Sequence, residues 1–292
     1  MFLCCMKTVK DAYQEFKANL ADLYNAPEAD AITSLVLNDL TGYSKARLKA
    51  FADTEFDNEQ SLKLADILNQ LKTGEPVQYI LGHTDFYGLK FLVNPAVLIP
   101  RPETEELVEW ILQTVPKNEP FMILDIGTGS GCIPVALKTH LIHSKLFAID
   151  ISIDALQTAR RNAALNKADI TFVQADALNL IEPVITGQKY NVTVSNPPYV
   201  TMTDKEQMHR NVIDYEPHTA LFVPNHNPLL FYNAIAQFAA GHLMANGYLF
   251  LEINESYGAE TVAMLTETGF DNVELKQDMA GKDRMIRAVW KG

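Results

Sequence analysis

The chain reads as an α/β protein, with a mostly parallel seven-stranded sheet covered by helices on both faces and a small helical bundle ahead of it. Three observations predict this. Residues 1–75 place apolar side chains at three- and four-residue spacing, the helical period. From Arg101 onward, strand-like runs alternate with helix-like ones, which implies parallel strands buried on both faces. Between them, residues 76–100 turn β-branched and aromatic, with Gly82 and Gly88 as turn signals. The 292 residues suit one or two domains. The expected division is a helical domain over 1–75, a β-hairpin linker over 76–100 and the α/β domain over 101–292.

In the first part, Val9, Tyr13, Phe16, Leu20 and Leu23 form one apolar stripe. The next helix opens near Pro27 and stops at Gly42, the usual proline-first, glycine-last asymmetry. A short helix fits Ser44 to Phe51, and a further one stops at Gly74. In the last part, Pro102 opens a helix with Glu103, Glu105 and Glu106 in its first turn, where acids favour the dipole. Then come the strand FMILDIG, a helix from about Gly131, the strand SKLFAID, the helix SIDALQTARRNAALN and the strand ITFVQAD. The strand YNVTVSN, a helix from about Pro228 to Met244, the strand GYLFLEIN and the helix GAETVAMLTETG follow. Two strands, DNVELKQ and RMIRAVWK, close the chain without a helix between them, so one of them runs antiparallel.

Bulk properties narrow the function classes. Hydrophobic residues make up 48% and charged residues 21%, as in soluble globular proteins. No apolar run reaches the roughly 20 residues that span a bilayer, and MFLCCMKTVK lacks a signal-peptide core. A cytoplasmic protein is expected, with Met1 and Met6 as alternative starts. The three cysteines, Cys4, Cys5 and Cys132, have no metal or disulfide spacing, and Cys132 reads as a small buried residue in a glycine-rich turn. The seven histidines form no cluster, so no metal is expected. A net charge of −12 argues against a nucleic-acid substrate and suits a basic protein partner.

Two motifs carry chemistry. The first is Asp125-Ile126-Gly127-Thr128-Gly129-Ser130-Gly131, at the end of the first strand of the α/β region. Glycines there let backbone turn sharply and approach a ligand. Their alternation departs from the dinucleotide pattern G-x-G-x-x-G. Asp150, followed by Ile151, ends the second strand, where a carboxylate binds ribose hydroxyls in nucleoside-binding folds. Asp176 and Ala177 follow the third strand. This combination resembles class I S-adenosylmethionine-dependent methyltransferases, whose sheet is Rossmann-like. The resemblance implies that Gly127 to Gly131 cradle the methionine part of the cofactor, Asp150 with Ile151 the ribose, and Asp176 with Ala177 the adenine.

The second motif is Asn196-Pro197-Pro198-Tyr199, where the fourth strand ends. Ligands of open α/β sheets bind at the carboxyl ends of strands. An amide or exocyclic amine is a weak nucleophile, and a site helps by accepting hydrogen bonds from its NH₂ and aligning its nitrogen. Asn196 offers a carbonyl acceptor. Pro197 and Pro198 fix φ and contribute no N–H, and Tyr199 offers a flat face for stacking. The tetrapeptide resembles that of amino-methyltransferases acting on adenine, cytosine or glutamine.

The segment GEPVQYILGHTDFYGLKFLVNPAVLIPRPETEELVEW resembles the one that precedes the catalytic domain in bacterial peptide-chain-release-factor glutamine methyltransferases, and YEPHTALF (Tyr215 to Phe222) fits the same family. The likeness covers nearly the whole chain. It implies methyl transfer from S-adenosylmethionine, leaving S-adenosylhomocysteine, to the side-chain amide of the glutamine in the Gly-Gly-Gln loop of class I release factors. Asn196, Pro197, Pro198 and Tyr199 would hold that amide, with Asn196 also among the cofactor-binding residues, Leu98, Arg101 and Glu103 would wall the pocket, and the N-terminal helices would help dock the factor. A monomer is expected. Pro134 and Ala177 depart from the family pattern. The alternatives are a glutamine of a ribosomal protein, or an adenine of DNA or RNA. A DNA enzyme needs base flipping and a basic recognition region, and the chain shows no such region.

Overall fold

The structure, a computed structural model, describes residues 6–292, so Cys4 and Cys5 lie outside the described residues. The chain divides into two compact units, Met1–Gly82 with His209–Tyr215, and His83–Met208 with Glu216–Gly292.

The first unit is helical. Its helices are Val9–Leu20, Ala26–Thr41, Lys45–Ala50, Asn58–Leu71 and Val77–Leu81, joined by Arg210–Tyr215 from far along the chain. Local sequence sets their ends. Thr8 and Asp57 close capping boxes with Asp11 and Gln60, and Asn25 caps the second helix. Gly42 ends that helix in the left-handed conformation at φ 70°. Val9, Phe16, Leu20, Val36, Leu37, Leu48, Leu64 and Leu71 build the core. Tyr215 donates its hydroxyl to Thr73 Oγ1 at 2.8 Å, which anchors the late helix in this unit.

The stretch expected to be one hairpin linker behaves as two pieces. Residues Val77–Leu81 form a helical turn ended by Gly82 at φ 76°. Val77 and Tyr79 are buried, so tertiary packing overrides the β preference of this short run. The hairpin itself is His83–Phe86 paired with Leu89–Leu92, and it belongs to the second unit. Tyr87 and Gly88 turn it with φ of 50° and 73°, the two positive values of a tight turn that twists with its strands.

The second unit is the α/β sheet. We number its strands β1 (Met122–Ile126), β2 (Lys145–Asp150), β3 (Ile170–Gln174), β4 (Tyr190–Ser195), β5 (Leu243–Glu252), β6 (Asp271–Gln277) and β7 (Asp283–Trp290). Their spatial order is β6-β7-β5-β4-β1-β2-β3. Neighbours from β5 to β3 pair in parallel, and β7 runs antiparallel to both β5 and β6. Helices Pro102–Thr114 and Cys132–His140 contribute to one apolar layer, which the hairpin's Phe86 and Phe91 join. Leu230–His242 and Gly258–Thr268 contribute to the other. The order reverses between β1 and β4, so the crevice that binds ligands in such sheets opens at their carboxyl ends.

Candidate active site

A cavity of about 350 Å³ lies at that crevice. The turn after β1 forms its floor. Gly127, Gly129 and Gly131 have φ of 75°, 53° and 79°, a region that L side chains avoid. A Cβ on Gly127 or Gly129 would meet nothing within 4 Å, whereas one on Gly131 would sit 3.1 Å from the Cβ of Ala159. The first two glycines leave the turn open to a ligand, and the third lets the helix Ile153–Leu165 pack against it. Asn162, on that helix and fully buried, donates to the carbonyls of Ser130 and Leu92 at 2.9 Å each and accepts the Leu92 N–H at 2.7 Å. One side chain thereby joins the glycine turn to the hairpin.

Asp150 lines the cavity beside this turn. Its carboxylate accepts the N–H of Gly129 at 2.8 Å and of Ser152 at 2.9 Å. Burial raises its pKa above the usual carboxylate range, against the lowering by these N–H groups. Beneath the turn, Asp125 is 1% exposed, and both its carboxylate oxygens and Thr128 Oγ1 are buried without a hydrogen-bond partner. Burial pushes the Asp125 carboxyl up to about 7; Thr128 lies near enough to oppose this, without a hydrogen bond of ordinary geometry. Ile151, Asp176 and Ala177 complete this end of the cavity, with Asp176 Oδ1 accepting the Leu178 N–H at 2.9 Å.

The other end is built by the turn after β4. Ser195, Asn196, Pro197 and Pro198 line the cavity with the glycine turn. Ser195 donates to the Ile126 carbonyl at 2.6 Å, locking the ends of β4 and β1 together. Asn196 Nδ2 donates to Thr104 Oγ1 at 3.1 Å. Thr104 donates to Glu252 Oε2 at 2.6 Å, and Tyr199 donates to Glu252 Oε1 at 3.1 Å. Asn254 Nδ2 donates to the Tyr199 carbonyl at 3.1 Å.

Tyr199 departs from the stacking position expected for it. It is not among the residues that line the cavity; its ring packs against the core under β5 and its hydroxyl end is buried on Glu252.

Leu98 and Arg101 line the cavity, and Glu103 does not; its neighbour Thr104 takes that place. Arg101 Nη2 lies 2.5 Å from Glu216 Oε1, and the Ile99 N–H donates to Glu216 Oε2 at 3.2 Å. The YEPHTALF stretch therefore serves both as a brace and as a wall. Its buried Glu216 pins the segment before helix Pro102–Thr114, while Pro217, Thr219, Ala220 and Phe222 line the cavity. The sequence reading missed Thr104, Glu216 and Glu252, since each works through contacts between segments far apart in the chain. Cys132 is buried and its thiol is pushed up to about 12 by burial, which suits packing rather than nucleophilic chemistry. Among the described residues no group of acids, histidines and cysteines could hold a metal, and no helix is long and apolar enough to cross a membrane.

Residues 104–217 match the family described as Methyltransferase small domain, and residues 11–82 match the PrmC N-terminal domain. The first match, with the strand order and the glycine turn after β1, makes this a class I methyltransferase. A release factor glutamine methyltransferase of Flavobacterium psychrophilum is 43% identical over 286 residues, covering 97% of this chain and 99% of its own length. Another, of Bacteroides thetaiotaomicron, is 40% identical over 272 residues, covering 93% and 96%. The chain belongs to the release factor glutamine methyltransferase family. Among solved structures, a 16S rRNA methyltransferase of Thermus thermophilus in complex with AdoMet and guanosine is similar, with a TM-score of 0.51 at 16% identity over 71% of this chain and 49% of that one. That likeness speaks for the fold alone.

Proposed function

We propose that this chain transfers a methyl group from S-adenosylmethionine to the side-chain amide nitrogen of a release-factor glutamine, the one in the Gly-Gly-Gln loop of class I factors, and releases S-adenosylhomocysteine and the proton that the methylated nitrogen gives up to solvent. The observation that carries the reading is that Asn196, Pro197 and Pro198 line the same cavity as Gly127, Gly129 and Asp150. The names of the full-length relatives supply the substrate.

The residues present fit the cofactor. The open glycine turn offers backbone to a ligand, and Asp150 and the unpartnered hydroxyl of Thr128 line the same cavity, where ribose hydroxyls and other polar groups of the cofactor would meet them. When bound, S-adenosylmethionine supplies an electrophilic methyl carbon on a sulfonium. The chain's own residues hold the acceptor. Asn196 Oδ1 and carbonyls around Pro197 accept the two amide hydrogens, aim the nitrogen and stabilise the positive charge that grows on it. Leu98 and Arg101 wall the substrate side. The N-terminal helices serve to dock the factor. The protein works as a monomer in the cytoplasm, where release factors act, and its net charge of −12 disfavours DNA.

The test is methyl transfer from labelled S-adenosylmethionine. The acceptors are a release factor, the same factor with its loop glutamine changed to alanine, a ribosomal protein mixture and DNA. Label on the intact factor alone, abolished by Asn196→Ala, is the expected result. Label on DNA or the ribosomal mixture, with none on the factor, would overturn the substrate.

A further inference from the structure

The turn that carries Asn196 is gripped from behind by one acid. Glu252, at the end of β5, is 1% exposed and does not line the cavity. Its two oxygens take different partners, Thr104 at 2.6 Å and Tyr199 at 3.1 Å. A hydroxyl has one hydrogen to give. With that hydrogen committed to Glu252, Thr104 Oγ1 is left as an acceptor for Asn196, and Asn196 meets it with its NH₂, at 3.1 Å. The Asn196 carbonyl oxygen is then on the other branch of the amide, directed away from Thr104. A glutamine amide that is to be methylated offers N–H groups, so it needs that oxygen; the flipped amide would set donor against donor.

We propose that Glu252 is a positioning residue for methyl transfer: acting through Thr104, it fixes which end of the Asn196 amide faces the cavity, and acting through Tyr199 it holds the turn in place. The role deepens the glutamine-methylating reading and rests on it. A buried acid is a costly way to fill a core position that a leucine would pack without a desolvation cost. Burial raises the pKa of Glu252, as does the nearby Glu103, whereas the two hydroxyls and the charge of Arg284 favour its ionised form. Arg284 is itself held 3.1 Å from Asp278 and 3.4 Å from Glu255. Tyr232 stands on the same side, with its hydroxyl accepting the Asn254 N–H at 3.1 Å.

The experiment uses the full chain with labelled S-adenosylmethionine and a release factor, and determines kcat, KM and cofactor affinity separately. Thr104→Val, nearly isosteric, removes the hydroxyl and is expected to lower kcat by about tenfold or more. Cofactor affinity is expected to stay within about twofold, since the glycine turn and Asp150 are untouched, and KM for the factor is expected to change less than kcat, since only the Asn196 contact of the factor is affected. Thr104→Ser keeps the hydroxyl and restores kcat. Glu252→Gln can donate to Thr104 and so lets Asn196 adopt both orientations; its kcat falls by a smaller factor. In an Asn196→Ala background, followed by single turnover, Thr104→Val causes no further loss, because the effect passes through Asn196. Thr104→Ala serves the same comparison for a valine variant that fails to fold. The role is overturned if Thr104→Val retains kcat within about twofold, if Thr104→Ser fails as badly as valine, or if the loss persists without Asn196. A native chain that methylates the factor while Thr104→Val is unaffected overturns this role alone. A native chain that leaves the factor unlabelled overturns the functional reading and this role with it.

Discussion

Glu216 and Arg101 form an ion pair at 2.5 Å in which the two partners have unequal access to water: the acid side chain is 1% exposed and the arginine side chain 33%. The pair joins the segment before helix Pro102–Thr114 to the stretch that follows the Asn196–Tyr199 turn, and both segments line the cavity.

The inequality predicts unequal variants. Arg101→Met strands a buried carboxylate and is expected to cost about 3 kcal/mol or more. Glu216→Gln leaves an Arg101 side chain that is one-third exposed and reachable by water, and keeps an acceptor for the Ile99 N–H, so about 1–2 kcal/mol is expected. Urea unfolding of both variants checks the order; equal losses would show that the buried acid does not depend on Arg101.

Asn196→Ala is expected to lower kcat by about 10²–10³, the usual cost of one group aimed at developing charge. Cofactor affinity should change little, because the glycine turn and Asp150 are untouched. Calorimetric titration with S-adenosylhomocysteine separates the two quantities, and a large loss of affinity would place Asn196 in cofactor binding instead.

The glycines of the turn divide by what lies beside them. Gly131→Ala brings a Cβ to 3.1 Å from Ala159 at a φ of 79°, so it is expected to lower the melting temperature. Gly129→Ala meets no atom within 4 Å but still pays the left-handed cost of about 1–2 kcal/mol. Its added methyl also occupies the space where a ligand would approach, so its larger loss should be in cofactor affinity. Melting curves with and without S-adenosylhomocysteine distinguish the two. A Gly129→Ala variant that binds normally would remove the turn from the cofactor site.

Asp125 predicts a pH dependence. Burial holds its folded-state carboxyl at about 7, above the ordinary range near 4 of an unfolded chain. The folded state therefore binds the proton more tightly, and the stability this contributes is lost as pH rises from about 4 through about 7. Asp125→Asn, a neutral mimic, escapes the loss. The melting temperature of the variant minus that of the native chain, both without cofactor, should grow between about pH 5 and pH 8, from a full effect of at most about 4 kcal/mol. A difference independent of pH would show that Asp125 is not titrating there.

Much of this was legible along the chain because it depends on neighbours in sequence. The helix end at Gly42 is a local dihedral, set by the glycine itself. The glycine turn, Asp150 and Asn196-Pro197-Pro198 could be found without coordinates, since strand order and the rule of carboxyl-end crevices place them in one cavity. The run from Val77 to Leu81 was not legible, because five residues are too few for a period to separate helix from strand.

The sequence by itself determined the class of fold and the motif residues Gly127, Gly129, Asp150 and Asn196 that line the cavity, because each follows from a short motif at a strand end. Tertiary structure alone decided what stands behind them. Thr104 and Glu252 are 148 residues apart and Arg101 and Glu216 are 115 apart. A carboxylate buried among distant hydroxyls carries no local pattern, and only the packed sheet brings its partners within hydrogen-bond reach. The same packing turned Tyr199 inward, making a ring that the motif offered for stacking into a brace between the turn and β5.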